Sequence, residues 1–161
     1  MVQITPVNMG EIKIAKAPEI LAVYGIGSCI IVSLYDSKTK IGGIAHIMLP
    51  SSLEVSKEVL KPEKFADTAV PLLYEMVAQQ DVYKGNLVAK IVGGSEMFPP
   101  TEDFESKIGA HNIEACKRAI NKLRLPIIAQ NTGGNRGRSL EFNLETGMIN
   151  LTSLGEEAKE I

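Results

Sequence analysis

The apolar positions of this chain fall into short runs broken by glycine, proline and small polar clusters, the punctuation of a protein rich in strands. Glu19 to Tyr24 and Cys29 to Tyr35 are dense in β-branched and aromatic residues. The polar cluster Asp36-Ser37-Lys38-Thr39 then separates the second run from another apolar stretch, Ile41 to Leu49, an order that predicts a hairpin. A polar segment from Pro50 to Lys64 precedes Phe65, Ala69, Leu72, Leu73 and Met76. Their helical spacing predicts a helix ending near Gln80 with one buried face, started or kinked by Pro71. Leu87 to Val92 reads as a buried strand ending at Gly93-Gly94, and Ser95 to Lys107, with Pro99-Pro100 and several acids, as a surface loop. Ile113, Cys116, Ile120 and Leu123 mark a second helical face that turns Cys116 inward, with Asn112 as its N-cap. Pro126 to Ala129 suits a short strand and Asn131 to Arg138 a glycine-rich loop. Leu140 to Leu144 and Met148 to Leu154 form a second hairpin around Glu145-Thr146-Gly147, and Gly155 to Ile161 reads as a frayed tail.

Composition narrows the class. The 161 residues are 45% hydrophobic and 22% charged, as in ordinary globular domains, and show no repeat or linker that would divide them. A chain of this length buries roughly 70% of its unfolded surface, enough for a core without disulfide or structural metal. Seventeen basic against nineteen acidic residues leave a net charge of −2, which removes the electrostatic footprint expected for nucleic acid or an anionic membrane. Met1 to Gly10 has neither a basic cluster nor an apolar core of a leader, so the expected location is cytoplasmic. The uncharged run from Ile20 to Tyr35 falls short of the about 20 apolar residues of a membrane span and is interrupted by glycine and serine; buried strands account for it.

Two cysteines, Cys29 and Cys116, are expected to be reduced thiols with separate roles. A turn centred between Ser37 and Lys38 sets Cys29 opposite His46 on one face of the first hairpin, with ~4.5 to 5.5 Å between Cβ atoms. A thiolate paired with an imidazole is a nucleophile for carbonyl carbon, and the tight turn Gly25-Ile26-Gly27-Ser28 before the cysteine brings backbone N–H groups within reach of an oxyanion. A one-residue slip, for instance from a bulge at Gly42-Gly43, would send the two side chains to opposite faces. The plainer alternative is an inert core cysteine beside a histidine bonded to backbone.

Other chemistries find less support. Cys29, His46, His111 and Cys116 lack the tight spacing of a zinc site, so no metal is predicted. Gly25-Ile26-Gly27 lacks the third glycine and following helix of a dinucleotide fingerprint, and there is no Gly-Lys-Ser/Thr phosphate loop. Arg136 and Arg138, in Gly133-Gly134-Asn135-Arg136-Gly137-Arg138, either offer guanidinium forks to a substrate or partner or are paired within a tight turn.

Gly27-Ser28-Cys29 with Tyr35-Asp36, then Gly43-Ile44-Ala45-His46-Ile47-Met48-Leu49-Pro50, resembles the CheD family of chemoreceptor glutamine deamidases. The likeness continues in order through Lys64-Phe65-Ala66-Asp67-Thr68-Ala69, Gly93-Gly94-Ser95-Glu96-Met97-Phe98, Ile108-Gly109 with Asn112, and Thr132-Gly133-Gly134-Asn135-Arg136-Gly137-Arg138-Ser139. The resemblance implies a mixed α/β (α+β) fold, a single domain over residues 1–161 of largely antiparallel sheet with packed helices, similar to the deamidase domain of cytotoxic necrotizing factor toxins. It implies Cys29 as nucleophile and His46 as base, with Gly27 and Ser28 in the site loop and no cofactor. The implied substrates are glutamine side chains of methyl-accepting chemotaxis receptors, and the implied further partner is the CheC phosphatase. Three positions depart from the family pattern: Val23 stands where a threonine completes the triad, His111 where arginine is expected, and Asn131 where an acid is expected. An apolar Val23 cannot orient His46, which leaves a backbone carbonyl or another hydroxyl, Ser28 being nearest, to do so, or else reduced activity. The rival reading is a weakly catalytic module that docks on receptors or CheC; receptor methylester hydrolysis would use the same acyl chemistry.

Overall fold

The computed structural model describes residues 1–53, 61–99, 103 and 107–161, so most of the acidic stretch from Pro99 to Glu105 and part of the polar segment before Lys64 lie outside the described residues. Among the described residues ten strands form two five-stranded sheets. One sheet has the order β2-β5-β4-β6-β7, built from β2 (Ile12–Lys16), β4 (Ile30–Asp36), β5 (Ile41–Ile47), β6 (Val88–Gly93) and β7 (Ile127–Thr132). The other has the order β1-β3-β8-β9-β10, from β1 (Ile4–Pro6), β3 (Ile20–Ile26), β8 (Arg138–Asn143), β9 (Ile149–Thr152) and β10 (Lys159–Glu160). Pairings are antiparallel except β1 with β3 and β6 with β7. Helices α1 (Ala66–Ala78) and α2 (Ile108–Lys122) complete a single α+β domain.

The strand pleat sorts the core into two layers. On one face of β4, Ile30, Val32 and Leu34 pack with Ala69, Val70 and Leu73 of α1 and Cys116 and Ile120 of α2. On the other, Ile31 and Tyr35 meet Leu21, Val23, Leu140 and Phe142 of the second sheet. The order is therefore helices, sheet, sheet, and β4 is covered on both sides. That is why its sequence is a near-continuous apolar run rather than an alternation. Among the described residues no helix is long and apolar enough to cross a membrane.

Several expectations need correction. Asn112 is not an N-cap: α2 begins four residues earlier, at Ile108, and Asn112 is fully buried inside it. Pro71 does not start α1 but lies inside it, where only the kink alternative stays open. The tail is not frayed, because Lys159 and Glu160 pair with β9 and Ile161 exchanges two backbone bonds with Ile149, at 2.9 and 3.0 Å. The first hairpin is continuous, without a bulge at Gly42-Gly43, but its register differs: His46 faces Ile31, so the turn is centred between Lys38 and Thr39. The shift is by two positions, and two positions preserve the face.

Candidate active site

Because Cys29 precedes Ile31 by two residues, it lies on the same face of the sheet as His46, as a diagonal rather than a direct neighbour, a relation that separates backbones by about 7–8 Å. Both side chains line one cleft of about 290 Å³, with Pro6 to Met9 and Ala22 to Gly27 forming its walls. The cleft opens at the end of the two sheets, where β3 is interrupted. Its register with β8 shifts between Val23 and Ile26, Gly25 has φ +66°, and its N–H donates to Ser139 Oγ at 2.9 Å. A bulge of this kind turns Tyr24 outward and bends the strand away from the site.

His46 is held by the crossover between the sheets. Its backbone N–H donates to Glu11 O at 3.0 Å, and its carbonyl accepts from Gly10 N–H at 2.9 Å. Its Nδ1 lies 3.0 Å from Val7 O. A carbonyl only accepts, so Nδ1 carries the hydrogen and Nε2 keeps its lone pair. Nε2 is buried and has no hydrogen-bond partner among the described residues. Burial pushes the His46 pKa below the ordinary imidazole value, against a smaller opposing effect of the Val7 carbonyl, so the ring rests neutral at physiological pH. Burial likewise pushes the Cys29 thiol up, so it rests protonated. Burial thus favours the uncharged form of both groups, and among the described residues no hydrogen bond joins them.

Val23 is buried in the inter-sheet core and lines the same cleft. The imidazole is oriented by the Val7 carbonyl, so neither Val23 nor Ser28 is needed for that task. Of the alternatives open in sequence it is the backbone carbonyl that holds the ring, and which carbonyl depends on how the N-terminal segment folds. The alternation in Ile12-Lys13-Ile14 was the available signal for β2, with the crossover just before it.

The cysteine loop is fixed through its carbonyls. Gly27 O accepts from Ser95 N–H at 3.0 Å, Ser28 O from Asn112 Nδ2 at 2.9 Å, and Cys29 O from Gly94 N–H at 2.9 Å. Among the described residues nothing accepts from the N–H groups of Ser28 or Cys29. Arg138 lies behind this loop, donating to Asn131 Oδ1 at 2.8 Å, to Ser95 Oγ at 3.1 Å and to the Asn131 and Gly133 carbonyls. Arg136 is exposed, donates to Leu154 O at 3.2 Å and lies 3.8 Å from Glu156. Both arginines line a second cleft of about 230 Å³ against β9, separate from Cys29. His111 is on α2 and Asn131 on β7, neither of them in the Cys29 cleft. Cys116 is fully buried in the helix layer, where burial drives its thiol pKa far up. No group of three metal-ligating side chains occurs among the described residues.

Residues 48–153 match the CheD family, described as CheD chemotactic sensory transduction. The chain is similar along nearly its whole length to proteins named probable chemoreceptor glutamine deamidase CheD. One from Clostridium novyi is 42% identical over 92% of both chains, and one from Geobacillus kaustophilus is 36% identical over 99% of this chain and 98% of its own. A Geobacter metallireducens protein, named probable chemoreceptor glutamine deamidase CheD 2, is 37% identical over the full length of both. With the family match covering more than half of the chain and these relatives covering the rest, Cys29 and His46 included, this protein belongs to the CheD family.

Proposed function

We propose that this chain hydrolyses glutamine side chains of methyl-accepting chemoreceptors to glutamate, with Cys29 as nucleophile and His46 as base. The observation that carries the reading is an imidazole whose Nδ1 is bonded to Val7 O and whose Nε2 has no partner among the described residues, lining the same cleft as the Cys29 thiol. Names of the relatives support the substrate class.

In the proposed reaction Nε2 takes the thiol proton as sulfur attacks the carboxamide carbon. The carbonyl oxygen becomes an oxyanion, met by the N–H groups of the Gly27-Ser28-Cys29 loop. His46 returns its proton to the departing nitrogen, which leaves as ammonia and a thioester remains on Cys29. His46 then deprotonates water, which attacks the thioester, and the proton returns to sulfur as glutamate leaves. The chemistry calls for no cofactor. Each event replaces a neutral amide by a carboxylate, so its output is a change in receptor charge that biases a signalling equilibrium.

Exposed Met9 and Tyr24 at the cleft wall, and Met97, whose Cγ lies 3.2 Å from where a Cβ on Gly27 would be, form an apolar rim suited to a protein substrate. The same rim supports the finer reading that a CheC phosphatase competes with receptors for this face on the cytoplasmic side. Incubation with a receptor cytoplasmic fragment tests the function. Ammonia release, with amide-to-acid mass changes at specific glutamines, is the expected result; methanol release without ammonia would make the protein an esterase, and neither product would leave a docking module.

A further inference from the structure

Asn112 is a buried amide whose two halves are treated differently. Its Nδ2 donates to Ser28 O at 2.9 Å and to Met48 O at 3.0 Å, while its Oδ1 is buried without a partner among the described residues. The site therefore uses the donor half of the side chain and leaves the acceptor half unsatisfied, a state that native interiors seldom tolerate without a compensating role. The two carbonyls it joins lie at informative places. Ser28 O belongs to the peptide unit that carries the Cys29 N–H, and Met48 O lies two residues beyond His46, just past the end of β5.

In a trans peptide the N–H points opposite to the carbonyl. Drawing Ser28 O toward α2, on the helix side of the sheet, turns the Cys29 N–H toward the other side, where Cys29 lines the cleft. That N–H has no acceptor among the described residues. The neighbouring peptide is fixed in the same way, since Ser95 N–H holds Gly27 O and so directs the Ser28 N–H. The approach of α2 is set one turn earlier by Gly109, where a Cβ would lie 2.5 Å from Gly94 O and 2.6 Å from Ser95 O.

Resting on the deamidase reading above, we infer that Asn112 is a positioning residue that aims the Cys29 backbone N–H at the developing oxyanion and ties the nucleophile loop to the His46 strand. It touches no substrate, so its effect falls on the chemical step.

The test compares two reactions of the same sulfur in wild type and Asn112→Ala. Deamidation of a receptor fragment passes through an oxyanion; alkylation of Cys29 by iodoacetamide, in which the S–C bond forms as iodide leaves, does not. The inference predicts that kcat for ammonia release falls by about 10- to 100-fold with KM little changed, short of the ~10²–10³-fold that follows removal of an entire oxyanion donor. The alkylation rate and its pH profile stay within about threefold, below the effect expected of a lost acid–base partner. Asn112→Ser, which keeps one donor, recovers part of kcat; should Asn112→Ala not fold, Asn112→Ser compared with wild type decides the same question. Equal losses in both reactions, or an unchanged kcat in a folded variant, overturn the inference while wild-type deamidation stands. Wild-type protein that releases no ammonia overturns the functional reading and this inference with it.

Discussion

A single carbonyl decides how His46 behaves. Val7 O fixes the Nδ1–H tautomer, and burial holds the ring neutral and the Cys29 thiol protonated. In the proposed mechanism activity needs one proton shared between the two groups. The kcat/KM profile for deamidation is therefore expected to rise through a pKa below the ordinary imidazole value of about 6.5 and fall through one above the ordinary thiol value of about 8.5. A narrow bell centred near neutrality would contradict this. Stability follows the same sign: a histidine whose folded pKa is depressed stabilises the fold above its unfolded pKa and withdraws that contribution as pH falls through the folded one. His46→Gln should flatten the loss of stability in denaturant melts below about pH 6.5. Val23→Thr, which installs the threonine that the family resemblance leads one to expect there, should leave kcat within about threefold because the imidazole already has its holder. The same substitution should cost about 1–3 kcal/mol of stability for a hydroxyl placed in an apolar core; a tenfold gain in kcat would show that Val7 O is an insufficient support.

The pairing of the first hairpin was legible in sequence, and so was the face shared by Cys29 and His46, while the register was not. Asp36-Ser37-Lys38-Thr39 marks a turn, but its centre depends on backbone geometry: Asp36 pairs with Ile41, Lys40 adopts φ +57° and Asp36 O accepts its N–H at 2.8 Å, which moves the four-residue turn one position along, to Ser37–Lys40. Period-two alternation tolerates a shift of two, which is why Cys29 and His46 still share a face where a shift of one would have parted them. Asn112 shows the opposite failure. Its residue type suits a cap, and only tertiary contacts reveal a buried amide serving two carbonyls. The helix that presents it depends on close approach at Gly109. Gly109→Ala places a methyl 2.5 Å from a backbone oxygen and should destabilise the fold by about 1–3 kcal/mol in urea melts, where an unchanged midpoint would refute the packing.

Across the whole molecule, the site lies where two sheets and the N-terminal crossover converge, and that convergence was the least legible feature. The local pattern showed strands and helices but not that β1 and β2 enter different sheets, with the intervening crossover clasping His46. Nor did the polar tail advertise that β10 closes a sheet edge and that Ile161 O accepts from the buried Lys90 Nζ at 2.9 Å, alongside Gly147 O at 2.8 Å. Deleting residues 159–161 leaves that ammonium with one fewer acceptor and should lower unfolding free energy by about 1–3 kcal/mol, with the thermal midpoint as readout. The account rests above all on sulfur and imidazole acting together on a receptor amide. Peptide mapping by mass spectrometry of a receptor fragment, after incubation with wild type, Cys29→Ala or His46→Ala of verified fold, tests it most directly. Glutamine-to-glutamate conversion is expected with wild type alone; conversion by either variant at the wild-type rate would contradict it.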